Sequence, residues 1–402
     1  MQKLIRVWAV LMASAVMAAP PAIAQQDREA QWKQHMATAA QALKENRANE
    51  AILALQAAVG EAERFGSQDP RLATTLFLLG KYYYSQNKLS EAGMLVRRSL
   101  AIQEANLGPN HPELANTIDS LAEMHMNGGS AADAEPLLRR ALEIREKAYG
   151  ADHAEVDASL NRLAAFYDSQ RRYGDAEPLL RRSLEMREKA VGPEHPLVAV
   201  ALNNLGVLYH KQGKLAEAER LMKRAWTLRE KNFGLQHMEV DNSLSSLAAL
   251  YRDQGRHAEA EKLLLLSMSI RDNLLGRKNP MDPMLAAGLR ELAAVRMAQG
   301  KYAESQPLLE RSLVIEEAFV GKDDPRLATT LINLSLVHLN QQRYGEAEPL
   351  LQRALSLQER SWGKNDARLV PTLSALAEVF RKTGRASEAA AFEDRAKTLR
   401  SN

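Results

Sequence analysis

The sequence of 402 residues contains no cysteine. Disulfides, thiolate-bound zinc, iron–sulfur clusters and thiol catalysis are therefore excluded. Aromatic residues are scarce, at 5%. A chain short of aromatics but rich in Ala, Leu, Glu and Arg favours helices over sheets. Charge of one sign is also lacking, since 53 basic and 50 acidic residues leave a net charge of +3. Nucleic acid is not an expected partner, because its binding needs a clustered positive field. Long apolar runs are missing as well. No segment beyond the first 24 residues approaches the roughly 18 apolar residues of a membrane helix, so no integral membrane segment is expected in the mature chain. With 46% hydrophobic and 26% charged residues, the chain reads as folded, not disordered.

The start of the chain has its own pattern. Lys3 and Arg6 precede an apolar run of 13 residues, Val7 to Ala19. Pro20 and Pro21 break it, and Ala22-Ile23-Ala24 forms a small-x-small cleavage site. Residues 1–24 are thus expected to be a Sec signal, cut before Gln25. No cysteine follows to accept a lipid, and no Arg-Arg pair marks the twin-arginine route. The expected location is outside the cytoplasm: the periplasm of a Gram-negative cell, or the medium.

A repeat organises the remainder. Gly66, Gly108, Gly150, Gly192, Gly234 and Gly276 are spaced by 42 residues, followed by Gly321 after 45 and Gly363 after 42. Each period carries two helical patterns. Between Gly192 and Phe233, His195-Pro196 opens the first, where a proline removes an N–H that has no partner anyway. Leu202, Leu205, Leu208 and Tyr209 recur at helical spacing. Gly213 suits a left-handed cap, and Leu215, Ala218, Leu221, Met222, Ala225, Trp226 and Leu228 mark the second helix. One such hairpin cannot hide its apolar faces, so hairpins must stack into a solenoid. Ala134, Ala176, Ala218, Ala260 and Ala347 share one repeat position and let paired helices approach. Leu138, Leu180, Met222, Leu264 and Leu351 share another and fill the space between layers.

The pattern Leu202-x-x-Leu205-Gly206-x-x-Tyr209, followed by Gly213, Ala218, Met222 and Ala225, resembles the tetratricopeptide repeat (TPR). The longer kinesin-light-chain type is the nearest match. Its helix B signature is echoed in Ala134-Glu135-Pro136-Leu137-Leu138-Arg139-Arg140-Ala141-Leu142 and again in Ala347-Glu348-Pro349-Leu350-Leu351-Gln352-Arg353-Ala354-Leu355. The resemblance runs from about Gly66 to Arg400. It implies an all-α, right-handed superhelical solenoid whose first helices line a concave groove. The expected organisation is a signal at 1–24, a divergent helix pair at 25–65, seven repeats at 66–362, and a last repeat with a polar capping helix at 363–402. Glu393, Asp394, Arg395 and Lys397 supply that polar face.

Candidate chemistry falls into this scheme. His111, His153, His195 and His237 recur with the period. Equivalent positions lie two helix layers apart, on the order of 20 Å, too far to share a metal with bonds of about 2 Å. A helix-start role fits them better. The pairs Arg97-Arg98, Arg139-Arg140, Arg181-Arg182 and Lys223-Arg224 suggest a basic stripe, but Glu135, Glu177 and Glu219 precede three of them by four residues and make helical ion pairs the plainer reading. Leu265 and Leu266 stand where other repeats carry charge and are a candidate outer apolar contact, with self-association as one outcome. Residues 276–320 depart most, with an insertion in the stretch from Arg277 to Pro283, Arg296 for the usual aromatic or histidine, and Ser305 for the usual alanine.

TPR geometry implies a groove built from Phe77, Lys81, Tyr84, Asn116, Asn161, Asn203, His210, Asn242 and Arg252, with Asp119, Asp168, Val200 and Ser245 nearby. Asparagine offers both donor and acceptor to an extended peptide backbone, and His210 and Arg252 offer contacts to acidic groups. The Lys and Asn set of the family's carboxylate clamp is not in register. Walker, zincin and nucleophile-elbow motifs are absent, and no constellation is left over that demands catalysis. The expectation is an exported, non-catalytic scaffold without cofactor or metal that binds a protein or peptide. A glycan-binding accessory of envelope or polysaccharide assembly is the alternative, and an unrecognised hydrolase a third.

Overall fold

The computed structural model describes residues 23–276 and 281–401, with side chains over 26–274 and 281–400. The expected leader at residues 1–22 and the inserted residues 277–280 lie outside them. The described residues form eighteen α-helices and no strand. The chain divides into two compact units, Met1–Met186 and Arg187–Asn402.

The first unit holds α1 (Ile23–Lys44), α2 (Ala48–Glu63), α3 (Pro70–Ser85), α4 (Leu89–Leu107), α5 (Leu114–Asn127), α6 (Ala131–Tyr149), α7 (Ala154–Ser169) and most of α8 (Tyr173–Val191). The second holds the end of α8, then α9 (Pro196–Lys211), α10 (Leu215–Phe233), α11 (Met238–Asp253) and α12 (His257–Arg271). A π-helical turn, Asp272–Gly276, leads towards the insertion. Then follow α13 (Pro283–Ala298), α14 (Tyr302–Val320), α15 (Ala328–Asn340), α16 (Tyr344–Trp362), α17 (Val370–Lys382) and α18 (Ala386–Ser401).

Helix starts follow from one short-range device. The Nδ1 atoms of His153, His195 and His237 accept hydrogen bonds from the backbone N–H two residues on, at 3.1, 3.2 and 3.1 Å. Asp69, Asp282, Asp324 and Asp366 do the same with a carboxylate. Each satisfies one N–H that the first helical turn leaves open. The periodic histidines are thus helix caps.

Packing follows the repeat. The five periodic alanines are wholly buried, and Leu138, Leu180, Met222, Leu264 and Leu351 are buried with them. Helices meet most closely at Gly80, where a Cβ atom would lie 2.6 Å from Val96 Cγ2. In the N-terminal pair, Trp32 packs in a core with Met36, Leu55 and Leu76, and its indole N–H donates to Thr75 Oγ1 at 3.0 Å. In the last helix Glu393 and Asp394 are exposed, but Arg395 reaches back to Glu359 and the Lys364 carbonyl.

That reach is general. In the first unit Arg140 contacts Glu104 at 2.6 Å and donates to the Pro109 carbonyl at 2.7 Å. Arg182 likewise joins Glu146 and the Ala151 carbonyl. In the second unit Arg224 joins Glu188 and the Pro193 carbonyl, and Arg353 joins Glu317 at 2.6 Å and the Lys322 carbonyl at 2.7 Å. Each arginine clasps the end of the preceding second helix and the loop after it. The first members of the basic pairs instead face their own helix, as in Arg139–Glu135 and Lys223–Glu219. Leu266 occupies the clasp position opposite Glu230, whose carboxylate has no partner among the described residues.

A second polar junction ties each second helix to the following first helix. Glu219 of α10 accepts from Tyr251 Oη at 3.0 Å and Arg256 Nη1 at 2.8 Å, and pairs with Lys223 at 2.7 Å. The Arg256 guanidinium also lies 3.9 Å from the Tyr251 ring centre. Burial pushes the Glu219 carboxyl up, but the bonds from Lys223, Arg256 and Tyr251 outweigh it and bring the pKa down to about 2. Arg296 stands in the tyrosine's place in α13 and still reaches the corresponding Glu261, at 3.3 Å.

Two predictions arise. Arg353→Leu, which copies the residue found at position 266, lowers stability by about 1 kcal/mol and speeds amide exchange at 321–324. Urea titration with hydrogen-exchange mass spectrometry checks both. Because the folded pKa of Glu219 lies below its ordinary 4.5, its stabilisation is full above pH 4.5 and fades towards pH 2. The difference in Tm between the wild type and Glu219→Gln should therefore be largest near neutrality and shrink on acidification through that window.

Candidate functional site

First helices of successive hairpins also pack on one another. In the first unit α3 touches α5, and in the second α9 touches α11, α11 touches α13, and α13 touches α15. No pair of second helices among the described residues is as close. First helices therefore occupy the tighter side of each stack, and their solvent-facing stripe is the candidate groove.

In the first unit this stripe is already cross-linked. Phe77 is half-buried on the core formed with Ile118 and Leu121. Tyr84 Oη donates to Glu123 at 3.0 Å and accepts from the Asn127 amide, while Lys81 lies 3.9 Å from Glu123. Burial, with the Glu123 carboxylate beside it, holds the Tyr84 phenol above its ordinary range. Asn116 accepts from Arg145 at 2.8 Å. Asp119 takes both Arg145 and Arg162, each at 2.8 Å. Asn161 donates to the Asp157 carbonyl at 2.8 Å, to Asp157 Oδ1 at 3.1 Å and to Ser183 at 2.9 Å. Two of the asparagines expected to face a ligand, Asn116 and Asn161, are thus held by the protein itself. Asp168 lies half-buried near the end of α7.

The second unit is more open. Asn242 is exposed and Asn203 half-buried, beside a half-buried Val200. Neither amide makes a side-chain hydrogen bond among the described residues, and Asn203 Oδ1 is buried without a partner. His210 Nε2 and Arg252 Nε both reach Asp253, each at 3.0 Å. The acidic contact expected of them is therefore satisfied internally, at the rim. Ser245 accepts from Arg271 at 2.7 Å. Burial raises the pKa of Glu291, against the pull of Arg271 and Arg252.

Four arginines of the second helices carry the groove floor, and sequence reasoning passed over them. Arg145 donates to Ser159 at 2.7 Å as well as to Asn116. Arg187 donates to the Leu197 carbonyl at 3.0 Å. Arg229 donates to Ser243 at 2.7 Å and lies 3.2 Å from Glu239. Arg271 is bound by Asp241 at 2.9 Å and donates to the Met284 carbonyl at 3.0 Å. Their spacing of 42 residues was the available signal. An arginine recurring on an otherwise apolar face must find buried partners.

The outer leucine pair needs correction. Leu265 is exposed, but Leu266 packs on Val240, Leu244 and Ile270 together with Trp226. The helix turns one leucine outward, not two. Among the described residues, no helix is long and apolar enough to cross a membrane.

Comparison with known proteins places these features in context. A model of the tetratricopeptide repeat matches residues 113–189, 155–231, 284–360 and 331–402, and a second of the same description matches 72–113 and 242–280. No curated protein matches. Among solved structures, the apo form of the quorum sensor NprR from B. thuringiensis is similar in fold over 94% of this chain and 99% of its own, with 15% identity and a TM-score of 0.55. A putative kinesin light chain of nearly identical TPR-like repeats from Podosopora anserina is 26% identical, over 52% of this chain and 98% of its own, with a TM-score of 0.44. BtubC (BKLC) from P. vanneervenii is 24% identical, over 57% and 92%, with a TM-score of 0.48.

Proposed function

The chain belongs to the tetratricopeptide-repeat family, and we propose that it is an exported, non-catalytic scaffold that holds a protein or peptide against its first helices. The reading is carried by one observation. In the second unit the amides of Asn203 and Asn242 sit on the groove stripe and make no side-chain hydrogen bond to the described residues. An asparagine amide presents a donor and an acceptor together, which suits the backbone of an extended segment whatever its sequence. The surrounding Val200 and Ala249 are half-buried and apolar, so the amides can work beside surface that a ligand would dry. Export is supported by Lys3, Arg6, the apolar run to Ala19 and the small residues Ala22 and Ala24.

The test is a double substitution chosen to spare the internally bonded asparagines. Asn203→Ala with Asn242→Ala should weaken capture of partners from an envelope extract by about tenfold, from the loss of two amide contacts of roughly 0.5–1.5 kcal/mol each, with an unchanged circular dichroism spectrum. Undiminished capture removes the groove from the reading. Intact-mass analysis of the exported protein should find Gln25 as its first residue.

A further inference from the structure

The floor arginines obey a common geometry, and one of them breaks its charge balance. Each projects from a second helix towards the first helix of its own hairpin, where the residues 26, 29 and 30 positions earlier stand in register. For Arg145 these are Asp119, Asn116 and Ala115, and Asp119 supplies the carboxylate. For Arg271 they are Ser245, Asn242 and Asp241, and Asp241 supplies it. For Arg187 the set includes Asp157. For Arg229 the three residues are Asn203, Val200 and Ala199, none of them acidic.

Arg229 is 4% exposed. Its contacts among the described residues are the Ser243 hydroxyl and Glu239 on α11, a glutamate whose side chain is 39% exposed. Its Nε–H makes no hydrogen bond, and neither does the buried Oδ1 of Asn203. Burial without a matching carboxylate also draws the Arg229 pKa below its usual range. A buried guanidinium with an open donor is costly unless an anion completes it.

We infer that Arg229 and Asn203 form a subsite for a carboxylate carried by the groove's ligand. The carboxylate takes the place that Asp119 holds beside Arg145, accepting from the guanidinium on one side and, with the Asn203 amide turned over, from Nδ2 on the other. Its charge-assisted bonds replace those that the protein leaves unmade. This assignment rests on the groove reading and narrows it to ligands with an aspartate, a glutamate or a chain-terminal carboxylate at one defined position. It involves no lysine clamp, and its cation comes from a second helix.

Asn203→Asp tests it, because that change installs the missing acid from within. The probe is an N-acetylated, C-amidated pentapeptide pool with the central residue fixed as Asp, Glu, Asn, Gln or Lys, passed over the immobilised full chain. The wild type should retain Asp and Glu pools about tenfold over Asn and Gln. In Asn203→Asp that preference should vanish while its Tm rises, since Arg229 gains a partner. Arg229→Gln is the second variant, because glutamine already occupies the equivalent positions 103 and 358. It too should lose the preference. Retention of all pools without an acidic preference overturns this subsite and leaves the groove reading standing. Retention of none overturns both. An acidic preference that survives in Asn203→Asp, or a Tm that falls there, also refutes the assignment.

Discussion

Every second helix except the last of its kind ends against a neighbour that reaches back for it. The contact is an arginine on the next second helix, which takes a carboxylate near the helix end and a carbonyl of the following loop, as Arg353 does with Glu317 and Lys322. The rest of the architecture depends on this junction. An isolated hairpin has an apolar face on each side, and apolar contact alone tolerates sliding of one hairpin over the next. A charge-assisted pair of bonds to fixed points does not, because displacement by one turn leaves a half-buried carboxylate and a loop carbonyl unmet. The clasp therefore sets register while the alanines and leucines supply cohesion. The Glu219 junction with Tyr251 and Arg256 repeats the principle on the other side of the helix.

Much of this fold was legible in the sequence because its determinants are local. The glycine spacing, the His or Asp ahead of each first helix, and the buried alanines all act within one hairpin, and pattern reading recovers such features. The clasps were not read, although their residues were noticed. Arg140 and Arg182 were seen as partners of Arg139 and Arg181 in a basic stripe, while their carboxylates lie 36 residues back. An i,i+4 rule finds a helix's own ion pairs and is blind to a neighbour one period away. Leu266 misled for a related reason. Its position is a charged clasp in other repeats, but with Trp226 nearby it is enclosed by Val240, Leu244 and Ile270.

The candidate site was legible in outline and wrong in its inventory. Position within the repeat identified the stripe of Asn116, Asn161, Asn203 and Asn242, yet could not say which amides the protein consumes. That depends on side chains arriving from the second helices, such as Arg145 on Asn116 and Ser183 with Asp157 around Asn161. The decisive residues are long, cationic and buried, the combination that a hydropathy reading places on the surface.

These arginines show how a repeat array acquires a site without an insertion or a special loop. A floor position whose arginine finds its carboxylate within the array is self-contained: Arg145 with Asp119, or Arg271 with Asp241, has no need of a ligand. Such positions stiffen the stack and are closed to binding. Function has to enter where self-complementarity lapses, and a single replacement of acid by amide is enough to make it lapse. The cost is a locally under-compensated cation, about the scale of one unsatisfied buried hydrogen bond, 1–3 kcal/mol. An array with many buried layers tolerates that at one position, since each leucine within it contributes roughly as much. The periodicity that builds the molecule thus also supplies the reference against which its specific position stands out, and Arg229 departs from its counterparts by chemistry alone, with its place in the repeat unchanged.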